Sequence, residues 1–165
     1  MKKTLAILGM MLIMASVVFA DMEWTTYQSK EFNLQFDIPD HWQVETDDDA
    51  EVPSLMAHDE DSQIIMMVLA YKDESISTED LFDQAVDNLD MEIEGEAEHG
   101  DHNGMDSWFG LGDGTIDDEK VGIVILAATY DENNYVVYIF TPADVYEDNV
   151  NIMDTIINSV APLEE

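Results

Sequence analysis

Cysteine and arginine are both absent from the 165 residues, and lysine occurs only five times against 38 aspartates and glutamates. Each shortage excludes something. Without cysteine there is no disulfide staple, no thiol chemistry and no lipid attached at a processing site. Without clustered Lys and Arg, no patch can displace counterions from nucleic-acid phosphates, so nucleic acid is excluded as a partner. An anionic membrane surface is excluded for the same reason. The apolar run from Leu5 to Phe19 falls short of the about 20 residues that a spanning helix needs. Lys2 and Lys3 precede this run, and the small residues Val18 and Ala20 stand three and one positions before Asp21. That order is the pattern of a cleaved secretory signal. Residues 1–20 are therefore expected to leave as a signal peptide, cut between Ala20 and Asp21. Residues 21–165 are expected to be one exported domain, periplasmic or secreted.

What is abundant is negative charge. The formal net charge is −33, and losing Lys2 and Lys3 with no acid takes it to −35. Lys30, Lys72 and Lys120 are the basic residues that remain. Hydrophobic residues still make up 46% of the chain, enough for a core, so the acidity is not a disorder signature. A chain of this size buries roughly two thirds of its unfolded surface, and its carboxylates sit on the order of 14 Å apart over what is left. The Debye length falls from about 30 Å at 0.01 M salt to about 3 Å at 1 M. Mutual repulsion is thus felt in dilute buffer and screened in brine, which predicts a halophilic adaptation.

Along the chain, Phe32, Leu34, Phe36 and Ile38 alternate with polar residues, the period-two mark of a strand with one buried face. Pro39-Asp40 predicts a turn. Strands are predicted over 54–58 and 63–71, the latter apolar enough to be covered on both faces. Ser77 predicts an N-cap, with Leu81, Phe82, Ala85, Val86 and Leu89 forming one apolar stripe behind it. The pattern then returns to strands, with a Gly/Asp/His/Asn turn at 100–104 and an acidic loop at 113–119. A hairpin of 120–130 and 135–141 joined by four residues comes next. Thr141 and Pro142 predict the start of a last helix, with Ile152, Met153, Ile156, Ile157 and Val160 on one face and Pro162 closing it. The fold class is α+β: a mainly antiparallel sheet with helices packed on its faces.

The opening unit Phe32-x-x-x-Phe36-x-Ile38-Pro39-x-x-Trp42, led in by Tyr27-x-x-Lys30, resembles the start of PsbP-like domains. The ending Ile156-Ile157-Asn158-Ser159-Val160 is similar to that family's last helix. The resemblance runs from about Trp24 to Leu163. It implies an αβα sandwich and a binding or assembly module without catalysis, as in the extrinsic photosystem II protein and the periplasmic DcrB-type proteins. Phe36, Pro39 and Trp42 match the pattern as structural anchors. The chain departs from the DcrB-type lipoproteins by having no cysteine to lipidate.

For chemistry, no nucleophile pattern stands out, and no enzyme is expected. Ser107 follows His99 and His102, but triads assemble in space and not along the chain. The segment Glu98–Gly104 gathers His99, Asp101 and His102, donors that suit Zn, Mn or Ni, although polar residues around glycine are also ordinary turn chemistry. Asp113-Gly114 with Asp117-Asp118-Glu119, and Asp47–Asp49, read as acidic loops able to hold Ca²⁺ loosely. His41 and His58 read as structural, and Met66, Met67 and Met153 as core. The expectation is a non-catalytic binding or accessory protein of the cell envelope with a protein partner and no cofactor. The alternative is a divalent-cation-binding protein using His99, Asp101 and His102.

Overall fold

The computed structural model describes residues 22–163 apart from 48, 61, 62, 73 and 74. The expected signal peptide, with Ala20 and Asp21, lies outside the described residues. β1 (Trp24–Ser29) pairs antiparallel with β2 (Leu34–Pro39), whose Leu34, Phe36 and Ile38 turn inward as their alternation demands. The connecting turn holds Asn33 at φ 53°, a left-handed conformation that asparagine tolerates. After it, the Trp42 N–H donates to the Pro39 carbonyl at 3.1 Å, and Phe36, Pro39 and Trp42 are all buried.

β3 (Gln43–Asp47), β4 (Ser54–His58) and β5 (Ile65–Tyr71) form an antiparallel meander. α1 (Thr78–Asn88) follows, capped as expected: the Ser77 Oγ accepts from the Asp80 N–H at 3.1 Å. Its Leu81, Phe82 and Ala85 are buried. Next come β6 (Glu92–Ile93), β7 (Glu98–His102), β8 (Met105–Ile116), β9 (Glu119–Tyr130) and β10 (Asn133–Pro142).

The turns are tighter than the sequence suggested. The turn expected over 100–104 contracts to Asn103-Gly104, with φ of 52° and 88°. The expected acidic loop at 113–119 is mostly strand, leaving Asp117-Asp118 at φ 51° and 67°. The four-residue connection over 131–134 shortens to Asp131-Glu132. Two-residue turns with positive φ match the right-handed twist of the flanking strands, and Asn, Asp and Gly are the residues that adopt them. At 117–118 and 131–132 acidity therefore marks turn tips.

Thr141 and Pro142 correct another expectation. They finish β10, paired with Gly122 and Val121, and a 3₁₀ turn (Ala143–Val145) intervenes before α2 (Tyr146–Ser159). The Thr141 hydroxyl accepts from Asn149 Nδ2 at 2.8 Å within the core instead of capping the helix. α2 ends at Ser159, ahead of Pro162 as expected, and β11 (Ala161–Pro162) then returns to pair with β2.

Two sheets result. β3-β4-β5-β10-β9-β8-β6, with β7 also on β8, forms the large one, and β1-β2-β11 the small one. One face of the large sheet carries Ile123, Ile125, Ala127, Val136, Tyr138 and Phe140 against α1. The other carries Leu55, Met66, Val68, Leu126, Val137 and Ile139 against α2 and the small sheet. Each large side chain buried in this way contributes about 1.5–3 kcal/mol. On β8 the alternate glycines 110, 112 and 114 keep the α1 side thin; a Cβ at Gly110 would fall 2.9 Å from the Phe82 ring. The architecture is the expected α+β one, helices on both faces of a mainly antiparallel sheet, with the small sheet sharing the α2 layer.

Candidate binding groove

Because His99, Asp101 and His102 lie on a strand and not in a turn, period-two geometry puts His99 and Asp101 on one face and His102 on the other. His99 stacks on Trp108, with ring centroids 5.1 Å apart, and its Nε2–H donates to Asp106 Oδ1 at 2.9 Å. Asp106 Oδ2 in turn accepts from the Thr78 hydroxyl at 2.9 Å, linking the β7–β8 hairpin to the first turn of α1. His102 lies beside the opposite layer, and its Nε2–H donates to the Ile157 carbonyl at 2.9 Å near the end of α2. Asp101 Oδ1 accepts from the Gly104 N–H and so shapes the turn. Among the described residues, no three His, Asp or Glu side chains converge as a metal would require. Ser107 Oγ donates to the Gly100 carbonyl at 3.0 Å. Asp117-Asp118 forms a tight hairpin tip.

The largest cavity among the described residues lies elsewhere. It is an open groove of about 850 Å³ whose floor is the outward face of the small sheet. Inward Tyr27 and Phe36, with ring centroids 5.4 Å apart, leave Thr26, Gln28, Gln35 and Asp37 facing out as cross-strand pairs. The Thr26 hydroxyl donates to Asp37 Oδ1 at 2.6 Å, and Gln28 Nε2 to Gln35 Oε1 at 3.2 Å. The groove is completed by the Asn103-Gly104 turn, Tyr130 at the end of β9, Asn158 and Ser159 at the end of α2, and Ala161 and Pro162 of β11.

Hydrogen bonds fix the walls to the floor. Asn103 Nδ2 donates to the Asn158 and Val160 carbonyls at 2.9 and 2.8 Å, satisfying acceptors that a helix end leaves open. Ser159 Oγ accepts from the Asp37 N–H at 2.8 Å and donates to the Ile156 carbonyl at 2.6 Å. The polar groups left over are Gln28 Oε1, Gln35 Nε2, Asp37 Oδ2, Asn103 Oδ1, Asn158 Oδ1 and the Tyr130 hydroxyl; none has a hydrogen-bond partner among the described residues. Tyr130 is 37% exposed, the one large hydrophobic side chain left so open among the described residues. Among the described residues, Asp37 is the one acid that lines the groove, and no Lys or His does.

The sequence reading passed over this groove. Its residues come from distant segments, and each is individually unremarkable. The signal was an absence: Thr25–Ser29 carries no charge in a chain where acids are nearly everywhere.

A smaller cleft of about 190 Å³ between α1 and the large sheet is lined by Tyr71, Ile76, Gln84, Asn88 and Tyr138. Burial pushes the Tyr138 phenol up to about 12, with the Tyr71 charge adding to the effect. The Tyr135 phenol is likewise pushed up to about 12, by burial first and then by the charges of Asp131 and Tyr130. Its hydroxyl donates to the Phe32 carbonyl at 2.7 Å.

No protein-family model matches the chain, and no curated protein matches it in sequence. Solved structures do. Cyanobacterial PsbP (CyanoP) from Synechocystis superimposes with a TM-score of 0.67 at 14% identity, covering 86% of this chain and 93% of that one. A protein from Bacteroides thetaiotaomicron gives 0.55 at 12% identity, over 85% of this chain and 48% of that one, so this chain spans about half its length. At such identities the shared property is the fold. The layers built here from alternating strands and two amphipathic helices are those of a PsbP-like domain.

Proposed function

We propose that the chain is an exported, non-catalytic accessory protein of the cell envelope that works by binding at the polar groove. The observation that carries this reading is the lining itself. The largest cavity among the described residues presents amides, hydroxyls and one tyrosine ring, with no histidine or lysine and one carboxylate. Groups of that kind hold a ligand in place, and histidine, the side chain that most often moves protons at neutral pH, is not among them. The PsbP-like fold supports the same reading, since the resemblance implies binding and assembly modules. The ordered n-region, apolar stretch and small residues of 1–20 support export.

The test combines location with contact. A photo-crosslinking side chain replacing Tyr130 in growing cells should give an envelope adduct, from protein whose N-terminus is Asp21. The same group at Thr155, exposed on α2, should give none. Cytoplasmic protein with residues 1–20 intact, or equal adducts at both positions, refutes the proposal.

A further inference from the structure

We infer that the groove ligand is a neutral oligosaccharide, an inference that rests on the groove being the binding site. Chemistry removes the other classes in turn. Anions meet a chain of formal charge −33 with no lysine in the groove to receive them. A metal ion needs converging donors, and Asp37 is the lone carboxylate there, one oxygen already engaged by Thr26. A lipid chain needs an apolar floor, whereas Thr26, Gln28, Gln35 and Asp37 make most of this one, with only Ala161 and Pro162 of β11 beside them. An extended peptide gains its affinity by pairing with a free strand edge, whereas the groove lies over the face of the small sheet, which presents side chains and not backbone groups.

A lining of amides and hydroxyls with a single carboxylate and one exposed ring suits a ligand that is uncharged, rich in hydroxyls and partly apolar. The groove answers each property. Amide and carboxylate groups accept and donate in pairs to neighbouring hydroxyls: Gln28 Oε1 and Asp37 Oδ2 accept, and Gln35 Nε2 donates. The Gln28–Gln35 and Thr26–Asp37 pairs hold those groups in place and lie two residues apart along the strands, about 7 Å, so successive sugar units meet successive polar pairs. The 37%-exposed Tyr130 ring offers a flat apolar surface with a polar tip, suited to the C–H face of a pyranose. Asn103 Nδ2 and Ser159 Oγ, whose hydrogen bonds are spent on the end of α2 and on β2, position the walls and are not contact groups.

The experiment titrates the purified protein by calorimetry with linear neutral gluco-, manno-, galacto-, xylo- and N-acetylglucosamine oligosaccharides. One of these should bind saturably, with a Kd on the order of 0.1–1 mM. The Kd should change less than about twofold between 0.15 M and 1 M NaCl, because no charge on the ligand is screened. Tyr130→Ala and Gln35→Ala should each weaken binding by about tenfold. Both side chains lie at the surface, so neither change should lower Tm. A panel in which nothing binds overturns the inference, as does binding that both variants leave intact. If the Tyr130 crosslink forms but its adduct is a polypeptide, the groove stands as a binding site and the saccharide assignment falls.

Discussion

Asn103 joins three parts of the groove, and replacing it shows how much the wall depends on one amide. It sits at φ 52° in the β7–β8 turn, and its Nδ2 reaches the Asn158 and Val160 carbonyls at 2.9 and 2.8 Å. Asn103→Gly keeps the left-handed turn at little backbone cost and deletes both bonds. A net protein hydrogen bond contributes about 0.5–1.5 kcal/mol; the bond to Asn158 is exposed and belongs at the low end, that to Val160 is part-buried and belongs at the high end. The sum is about 1.5–2 kcal/mol, or a fall in Tm of roughly 3–8 °C for a domain of this size. Asn103→Asp also tolerates the left-handed turn but aims a carboxylate at two carbonyl oxygens, so it should be clearly the worse of the two. Thermal unfolding at fixed high salt measures both, and hydrogen exchange at 158–160 reports whether the end of α2 has loosened. An Asn103→Gly protein that melts at the wild-type temperature, or an Asp variant no worse than the Gly variant, refutes the bracing role.

Other outcomes follow from the same structure. Tm should climb steadily with NaCl, because the Debye length falls from about 30 Å at 0.01 M to about 3 Å at 1 M; a flat series counts against the halophilic reading. Tyr135 and Tyr138 hold their protons up to about 12, above the unfolded value of 10.0. Stability should therefore be complete below pH 10 and be lost as pH rises from 10 towards 12, and Tyr135→Phe should flatten that decline. The same variant leaves the Phe32 carbonyl without its 2.7 Å donor and should cost about 1–3 kcal/mol at neutral pH, read from urea unfolding. Ser77→Ala removes the acceptor for the Asp80 N–H and should cost about 1 kcal/mol, with Ser77→Asp restoring most of it.

The elements with a strong local period were legible in the chain. Phe32 to Ile38, the stripe from Leu81 to Leu89 and the apolar pair of β9 and β10 each state which face must leave water, and those faces are the buried ones. The Ser77 cap was legible because its hydroxyl acts on an amide three residues away. Turn lengths differ at 113–119 and 131–134 because acidic residues, elsewhere a sign of loops, serve here at positive φ in two-residue turns, and at 100–104 because Asn103-Gly104 alone makes the turn. Thr141 and Pro142 carry a helix-start signature, but their pairing with Gly122 and Val121 extended the strand through them.

Sequence alone determined the acidic surface, the absence of thiol and guanidinium chemistry, and the amphipathic elements, since composition and short-range periodicity are local properties. Tertiary structure decided everything about the groove. It carried His99 and His102 to different layers, returned Ala161 and Pro162 to β2, and set Tyr130 beside Thr26, Gln28 and Asn158. Such neighbours share a wall because sheet register and helix packing bring them together, and register is fixed by the whole core and not by any one segment.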